Sequence, residues 1–188
     1  MSEVVLFHHA QGQTPGFRAF ADDLRGAGHV VHAPDLYEGK TFTELTDGVE
    51  YAAQVGFDAI VQRGARAAER LPPDVVYAGF SLGTLPAQML AQTRTGSRGA
   101  LLLHGCTPIA EFATRWPERV ALQIHSMDAD AWFELDVAFE LLDEVEDAEL
   151  FLYPGDRHLF ADSSLREFDA EAAALLTQRV CAFLSRVG

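Results

Sequence analysis

The chain has 188 residues, 48% of them hydrophobic and 22% charged, and carries a net charge of −14. That length holds one domain, residues 1–188, around one well-buried core, and the composition excludes a disordered chain. The acidic balance comes with no basic cluster, so it repels nucleic acid and anionic lipid and excludes both as natural partners.

No apolar run reaches the roughly 18 residues needed to span a membrane. Glu3 stands where a secretory signal would carry Lys or Arg, so a cytoplasmic protein is expected. A first strand at Val4–Phe7 leads into the loop His8-His9-Ala10-Gln11-Gly12. A helix follows, with Phe17, Phe20, Leu24 and Ala27 on one face. A second strand at Val30–Ala33 ends in Pro34-Asp35-Leu36-Tyr37. One long helical stripe is then traced by Val49, Ala53, Phe57, Ile60, Gly64 and Leu71. Further strands are expected at Val75–Ala78, Ala100–Leu103, Ala121–Ile124 and Leu150–Tyr153. Each is short and nearly continuously apolar, as in a strand buried on both faces. The last helix is marked by Phe168, Ala172, Leu175, Leu176, Val180, Phe183, Leu184 and Val187.

Alternation of this kind predicts an α/β domain with a mostly parallel, doubly wound sheet flanked by helices. Ligands then bind beyond the carboxyl ends of the strands. There the third strand gives Gly79-Phe80-Ser81-Leu82-Gly83, a G-x-S-x-G turn before a helix. In a nucleophile elbow of this type the glycines remove Cβ atoms that a sharp turn cannot hold, and Ser81 projects its hydroxyl above the sheet edge. The Leu82 N–H at the helix start is the first oxyanion donor, and the first loop offers Ala10 or Gln11 as the second. Pro86 falls about five residues into the helix, which predicts a bend there or a late helix start.

A serine nucleophile needs a base and an acid to orient it, in the chain order Ser, acid, His for this fold. His158 follows the last strand, where the base belongs. Asp130 and Asp128 both follow the strand before it. Asp130 is preferred because the longer loop reaches further over the sheet edge.

Other clusters are weaker. The acidic stretch Asp143–Glu149 lacks the spacing of a calcium loop and is read as a solvated helix end and turn. His104 and Cys106 form no metal-spaced set with other ligands. There is no G-x-G-x-x-G after the first strand and no P-loop sequence, which argues against a nucleotide binder.

The pieces Ala33-Pro34-Asp35-Leu36-Tyr37, the G-x-S-x-G elbow, an Asp after His125, and Tyr153-Pro154-Gly155-x-x-His158-x-Phe160 resemble the dienelactone hydrolase family over nearly the whole chain. The resemblance implies a lidless α/β-hydrolase fold, an activity on esters or lactones, and no metal or organic cofactor. Counting back to His125, it puts the family's acid on Asp130. Three departures accompany it. Ser81 stands where the namesake enzymes use Cys. Ala10 stands at the position of an acidic first-loop residue. Asp162, four residues after His158, stands where those enzymes use Arg to hold a substrate carboxylate.

The expected function is therefore a serine hydrolase of small esters or lactones using Ser81, His158 and Asp130. Tyr37, Trp116, Trp132 and Phe160 are candidate substrate walls. The rival readings are an acyltransferase or perhydrolase on the same residues, and a non-catalytic binding or regulatory protein on this fold.

Overall fold

The computed structural model describes residues 1–188. Its framework is a six-stranded parallel sheet, in the order β2-β1-β3-β4-β5-β6. The strands are β1 (Glu3–Phe7), β2 (Val30–His32), β3 (Val76–Phe80), β4 (Gly99–Leu103), β5 (Ala121–Met127) and β6 (Ala148–Tyr153). All six expected strands form, with ends that coincide or differ by up to three residues. The helices are α1 (Pro15–Gly26), α2 (Leu45–Val55), α3 (Phe57–Ala68), α4 (Thr84–Thr93), α5 (Leu135–Glu144) and α6 (Ala170–Val187).

Strand side chains alternate between two apolar layers, as the pleat requires. Val5, Phe7, Tyr77 and Leu102 face the layer closed by α2, α3, α4 and α5. Val4, Leu6, Phe80 and Leu103 face the layer closed by α1 and α6. Both faces are covered, which is why the strands read as continuous apolar runs.

Two expectations are corrected or resolved here. The long second stripe is two helices, because the chain turns at Gly56 (φ 93°) between α2 and α3. Apolar residues recur at helical spacing across the break, which hides the turn from a periodicity reading, but Ala53 and Phe57 of that stripe are exposed. The Pro86 conflict is resolved by a late start: a 3-10 turn occupies Ser81–Gly83, and α4 begins at Thr84. Pro86 is then in the first helical turn, where no intrahelical partner exists for its missing N–H.

The acidic stretch spans the end of α5 and the start of β6, and Asp147 and Glu149 pair with Arg186 of α6 at 2.7 and 3.0 Å. No helix is long and apolar enough to cross a membrane. The sheet order reverses at β1, which has β2 on one side and β3 on the other. A crevice at that reversal is where an open α/β sheet binds ligands.

Candidate active site

Ser81 follows β3 directly and adopts φ 47°, left-handed backbone that costs a non-glycine residue of order 1–3 kcal/mol. The turn tolerates no neighbouring side chains. A Cβ on Gly79 would strike the Gly83 carbonyl, and one on Gly83 would strike the carbonyl oxygens of Phe7 and His8. The elbow therefore packs backbone to backbone against the end of β1, which brings the first loop beside Ser81.

The loops after β5 and β6 bring two more side chains to the same place. His158 Nε2 lies 2.8 Å from Ser81 Oγ, and His158 Nδ1 lies 2.7 Å from Asp130 Oδ2. A carboxylate only accepts, so Nδ1 carries the proton and Nε2 is free to accept from the serine hydroxyl. Asp130 is itself fixed: Oδ1 accepts from the Trp132 N–H at 2.9 Å, and Oδ2 accepts from the Ser126 hydroxyl at 3.3 Å. Asp128 does something else. Its carboxylate accepts from the Gly155 N–H at 3.0 Å and braces the turn that precedes His158.

Of the candidate oxyanion donors, Leu82 lies within the 3-10 turn that opens at Ser81. The Gln11 N–H already donates to His9 Nδ1 at 3.2 Å, whereas the Ala10 N–H has no partner within the protein. The Gln11 side chain reaches the other way and donates to the Thr43 carbonyl at 2.7 Å.

Four further histidines lie around this arrangement. His104 is buried with no hydrogen bond to either ring nitrogen, and its ring centroid is 5.9 Å from that of His158. Burial, followed by the neighbouring His158, His125 and His9, keeps it far below the usual imidazole range. His125 bonds to the Tyr153 hydroxyl and the Gln123 side chain, both at 2.9 Å, and burial pushes it down to about 3. His8 accepts from the Leu36 N–H and is pushed down to about 4, again by burial first. These rings are neutral packing elements. His9 is bound to Asp162.

A cleft of about 430 Å³ opens beside His158, lined among others by Gln11, Thr43, Leu45, Trp132 and Arg166. It is within the size range of small-molecule sites. A groove of about 400 Å³ adjoins it across Thr43, Glu44, Arg166 and Glu167. Of the four expected wall residues only Trp132 borders the cleft. It is 53% exposed, with its ring 5.9 Å from that of His158.

The other three expected walls are corrected. Tyr37 is fully buried among His8, Phe42 and Tyr51, with its hydroxyl on the Gly48 carbonyl. Trp116 is buried and donates its indole N–H to the Val120 carbonyl at 2.7 Å. Phe160 is fully buried against His104 and Tyr153. Large aromatic surfaces gain most from complete burial, and loops folded back over the sheet provided it. The segment Thr43–Thr46 also lines the cleft, and it carries no pattern that would mark it in the sequence.

The dienelactone hydrolase family model matches residues 1–188. The chain belongs to the dienelactone hydrolase family. Membership makes it a hydrolase acting on ester bonds. Comparison by sequence with curated proteins finds no match.

Among solved structures, it is similar to a dienelactone hydrolase-like promiscuous phosphotriesterase from metagenomic libraries. The TM-score is 0.77 at 20% identity, covering 100% of this chain and 87% of that one. A dienelactone hydrolase from Anabaena variabilis gives 0.70 at 16% identity, over 99% and 87%. Ferulic acid-bound Est1E from Butyrivibrio proteoclasticus gives 0.72 at 15% identity, over 100% and 89%. At such identities these likenesses establish the fold.

Proposed function

We propose that this family member cleaves small carboxylic esters or lactones through an acyl-enzyme on Ser81. The observation that carries the reading is the continuous series from Ser81 Oγ through His158 to Asp130, with contacts of 2.8 and 2.7 Å. His158 takes the hydroxyl proton as Ser81 attacks the ester carbonyl, and Asp130 holds the imidazolium that results. The developing oxyanion is met by the N–H of Leu82 and by the unpartnered N–H of Ala10. His158 then returns the proton to the departing alkoxide. The same imidazole activates water to release the acid and regenerate Ser81.

The open cleft and the exposed Trp132 favour a short-chain or aromatic ester over a long-chain lipid. Neither step calls for a metal or an organic cofactor. Cys106 and Cys181 are both free thiols, which suits the reducing cytoplasm.

The test is labelling by a fluorophosphonate probe beside turnover of p-nitrophenyl acetate, for wild type, Ser81→Ala and His158→Ala. We expect wild type to be labelled and active and both variants to lose each signal, with kcat down by about 10⁴-fold or more. Folded wild type that neither labels nor turns over the ester would replace this reading with that of a binding protein. Product partitioning with and without an added alcohol or peroxide separates hydrolysis from acyl transfer and perhydrolysis.

A further inference from the structure

A second buried polar cluster ties the first loop to the loop after His158, and the Ser81 series makes no use of it. His9 and Asp162 are both fully buried. His9 Nε2 donates to Asp162 Oδ2 at 2.9 Å. An ionised carboxylate only accepts, so the proton sits on Nε2 and Nδ1 is left as an acceptor. That acceptor takes the Gln11 N–H. The same carboxylate accepts from the Thr14 hydroxyl, and from the backbone N–H and hydroxyl of Ser164 at 2.9 and 2.7 Å. The Gly16 N–H in turn donates to Ser164 Oγ at 3.0 Å. A side chain at position 16 would overlap Asp162, so the two loops touch with nothing between them.

Stability alone accounts poorly for such a cluster, since burying a carboxylate among neutral donors is costly and apolar packing of similar volume is often as stabilising. Its geometric effect is specific. Asp162 fixes the His9 ring, and with it the backbone at residue 9. The Gln11 N–H is held by His9, and the Gln11 carbonyl accepts from the Phe42 N–H at 3.0 Å. Both sides of the loop are clamped, and the Ala10 N–H between them is left free.

We propose that His9 and Asp162 are positioning residues that orient the first loop so that the Ala10 N–H, and not that of Gln11, meets the oxyanion formed at Ser81. This rests on the reading of Ser81 as the nucleophile. Neither residue touches substrate. They act through the loop.

Asp162→Asn replaces one of two acceptor oxygens with a donor, although donors face both. Loss of one oxyanion donor costs about 10²–10³ in kcat, and misplacement by about 1 Å costs up to about 10². For a loop loosened but not removed we expect kcat for p-nitrophenyl acetate to fall about 10- to 100-fold. KM should stay within about twofold, because the ground-state carbonyl uses the hole little. Binding of a phenyl trifluoromethyl ketone, whose adduct carries the oxyanion, should weaken by the same factor as kcat.

The other end of the relay gives an independent check. His9→Gln keeps a donor toward Asp162 but leaves the Gln11 N–H without an acceptor. His9→Asn places its amide oxygen near the Nδ1 position but gives up the contact with Asp162, so it should recover part, not all, of the kcat lost in His9→Gln. Folding is followed by circular dichroism. Folded variants with wild-type kcat and ketone affinity would overturn the proposal. So would losses that track falling Tm with no difference between the two His9 variants. Wild type inert to both ester and fluorophosphonate would instead overturn the hydrolase reading, and this proposal with it.

Discussion

The molecule contains two buried His–Asp pairs of nearly the same geometry. In one, His158 Nδ1 lies 2.7 Å from Asp130; in the other, His9 Nε2 lies 2.9 Å from Asp162. In both, the carboxylate fixes one ring nitrogen as the donor and leaves the other as an acceptor. They differ in what the acceptor meets. For His158 it is the hydroxyl of Ser81, and for His9 it is the backbone N–H of Gln11. They also differ in how they are enclosed. His158 lies beside the exposed Trp132, whereas His9 is packed between Phe17 and Phe80. On the proposed reading, the same pair prepares a base where the ring opens onto a cleft, and braces a loop where the ring is sealed in.

The sharpest way to break the comparison is to neutralise the two carboxylates in turn. Asp130→Asn should cost kcat about 10⁴-fold, because an amide at that position presents the wrong donor to Nδ1 and disfavours the tautomer that accepts from Ser81. Asp162→Asn should cost no more than about 100-fold, because its ring exchanges no proton with substrate. Steady-state turnover of p-nitrophenyl acetate by the two folded variants checks this. Equal losses would mean that the two pairs do the same work.

How much of this was legible in the sequence follows the same division. The strained turn at Ser81 and the approach of His158 to it were readable because a sharp strand-to-helix turn restricts which residues can occupy it, and because strand ends set which loop side chains can reach it. Asp130 against Asp128 was a matter of loop reach, and the Gly155 N–H that engages Asp128 carries no sequence mark. The His9–Asp162 pair was not legible, since its partners are 153 residues apart and meet only through tertiary packing. In the sequence Asp162 stands out solely as a departure from the family's Arg. Tyr37, Trp116 and Phe160 misled for a related reason: an aromatic after a strand serves a core and a cleft equally well, and only the path of the loop decides. The break at Gly56 was hidden because apolar residues recur at helical spacing on both sides of it.

Acid titration sharpens the contrast in stability. Burial outweighed by hydrogen bonds from His9, Thr14 and Ser164 leaves Asp162 at about 2, below its ordinary 3.8. A carboxylate so lowered stabilises the fold at pH values above its ordinary pKa, by on the order of 2 kcal/mol, and that contribution is lost as pH falls toward 2. The buried neutral histidines work in a different window. His8 and His125 stand at about 4 and 3. The unfolded chain takes up their protons below about pH 6.5 while the folded chain does not, so stability falls with pH from there downward. Urea unfolding of wild type and Asp162→Asn should give stability curves that decline in parallel from pH 6.5 to 4.5, offset by about 2 kcal/mol. Curves that coincide across this range would show that the Asp162 charge adds little, and curves that converge before pH 5 would assign the offset to another group.

The smallest expected effect tests the open side of the His158 pair. The backbone N–H of Trp132 holds Asp130, while its indole ring leans over His158 at an interplanar angle of 33° and faces the cleft. Trp132→Ala keeps the backbone donor and removes only the ring, so the proton-transfer geometry survives. What is lost is an apolar platform for the acyl or alcohol portion of an ester, about 1 kcal/mol of aromatic contact. We expect KM for an aryl ester such as p-nitrophenyl benzoate to rise about fivefold to tenfold, with kcat within about twofold and a smaller KM change for the acetate. A fall in kcat with KM unchanged would instead make the ring a support for His158, as Phe17 and Phe80 are for His9, and the difference in enclosure between the two pairs would lose its functional meaning.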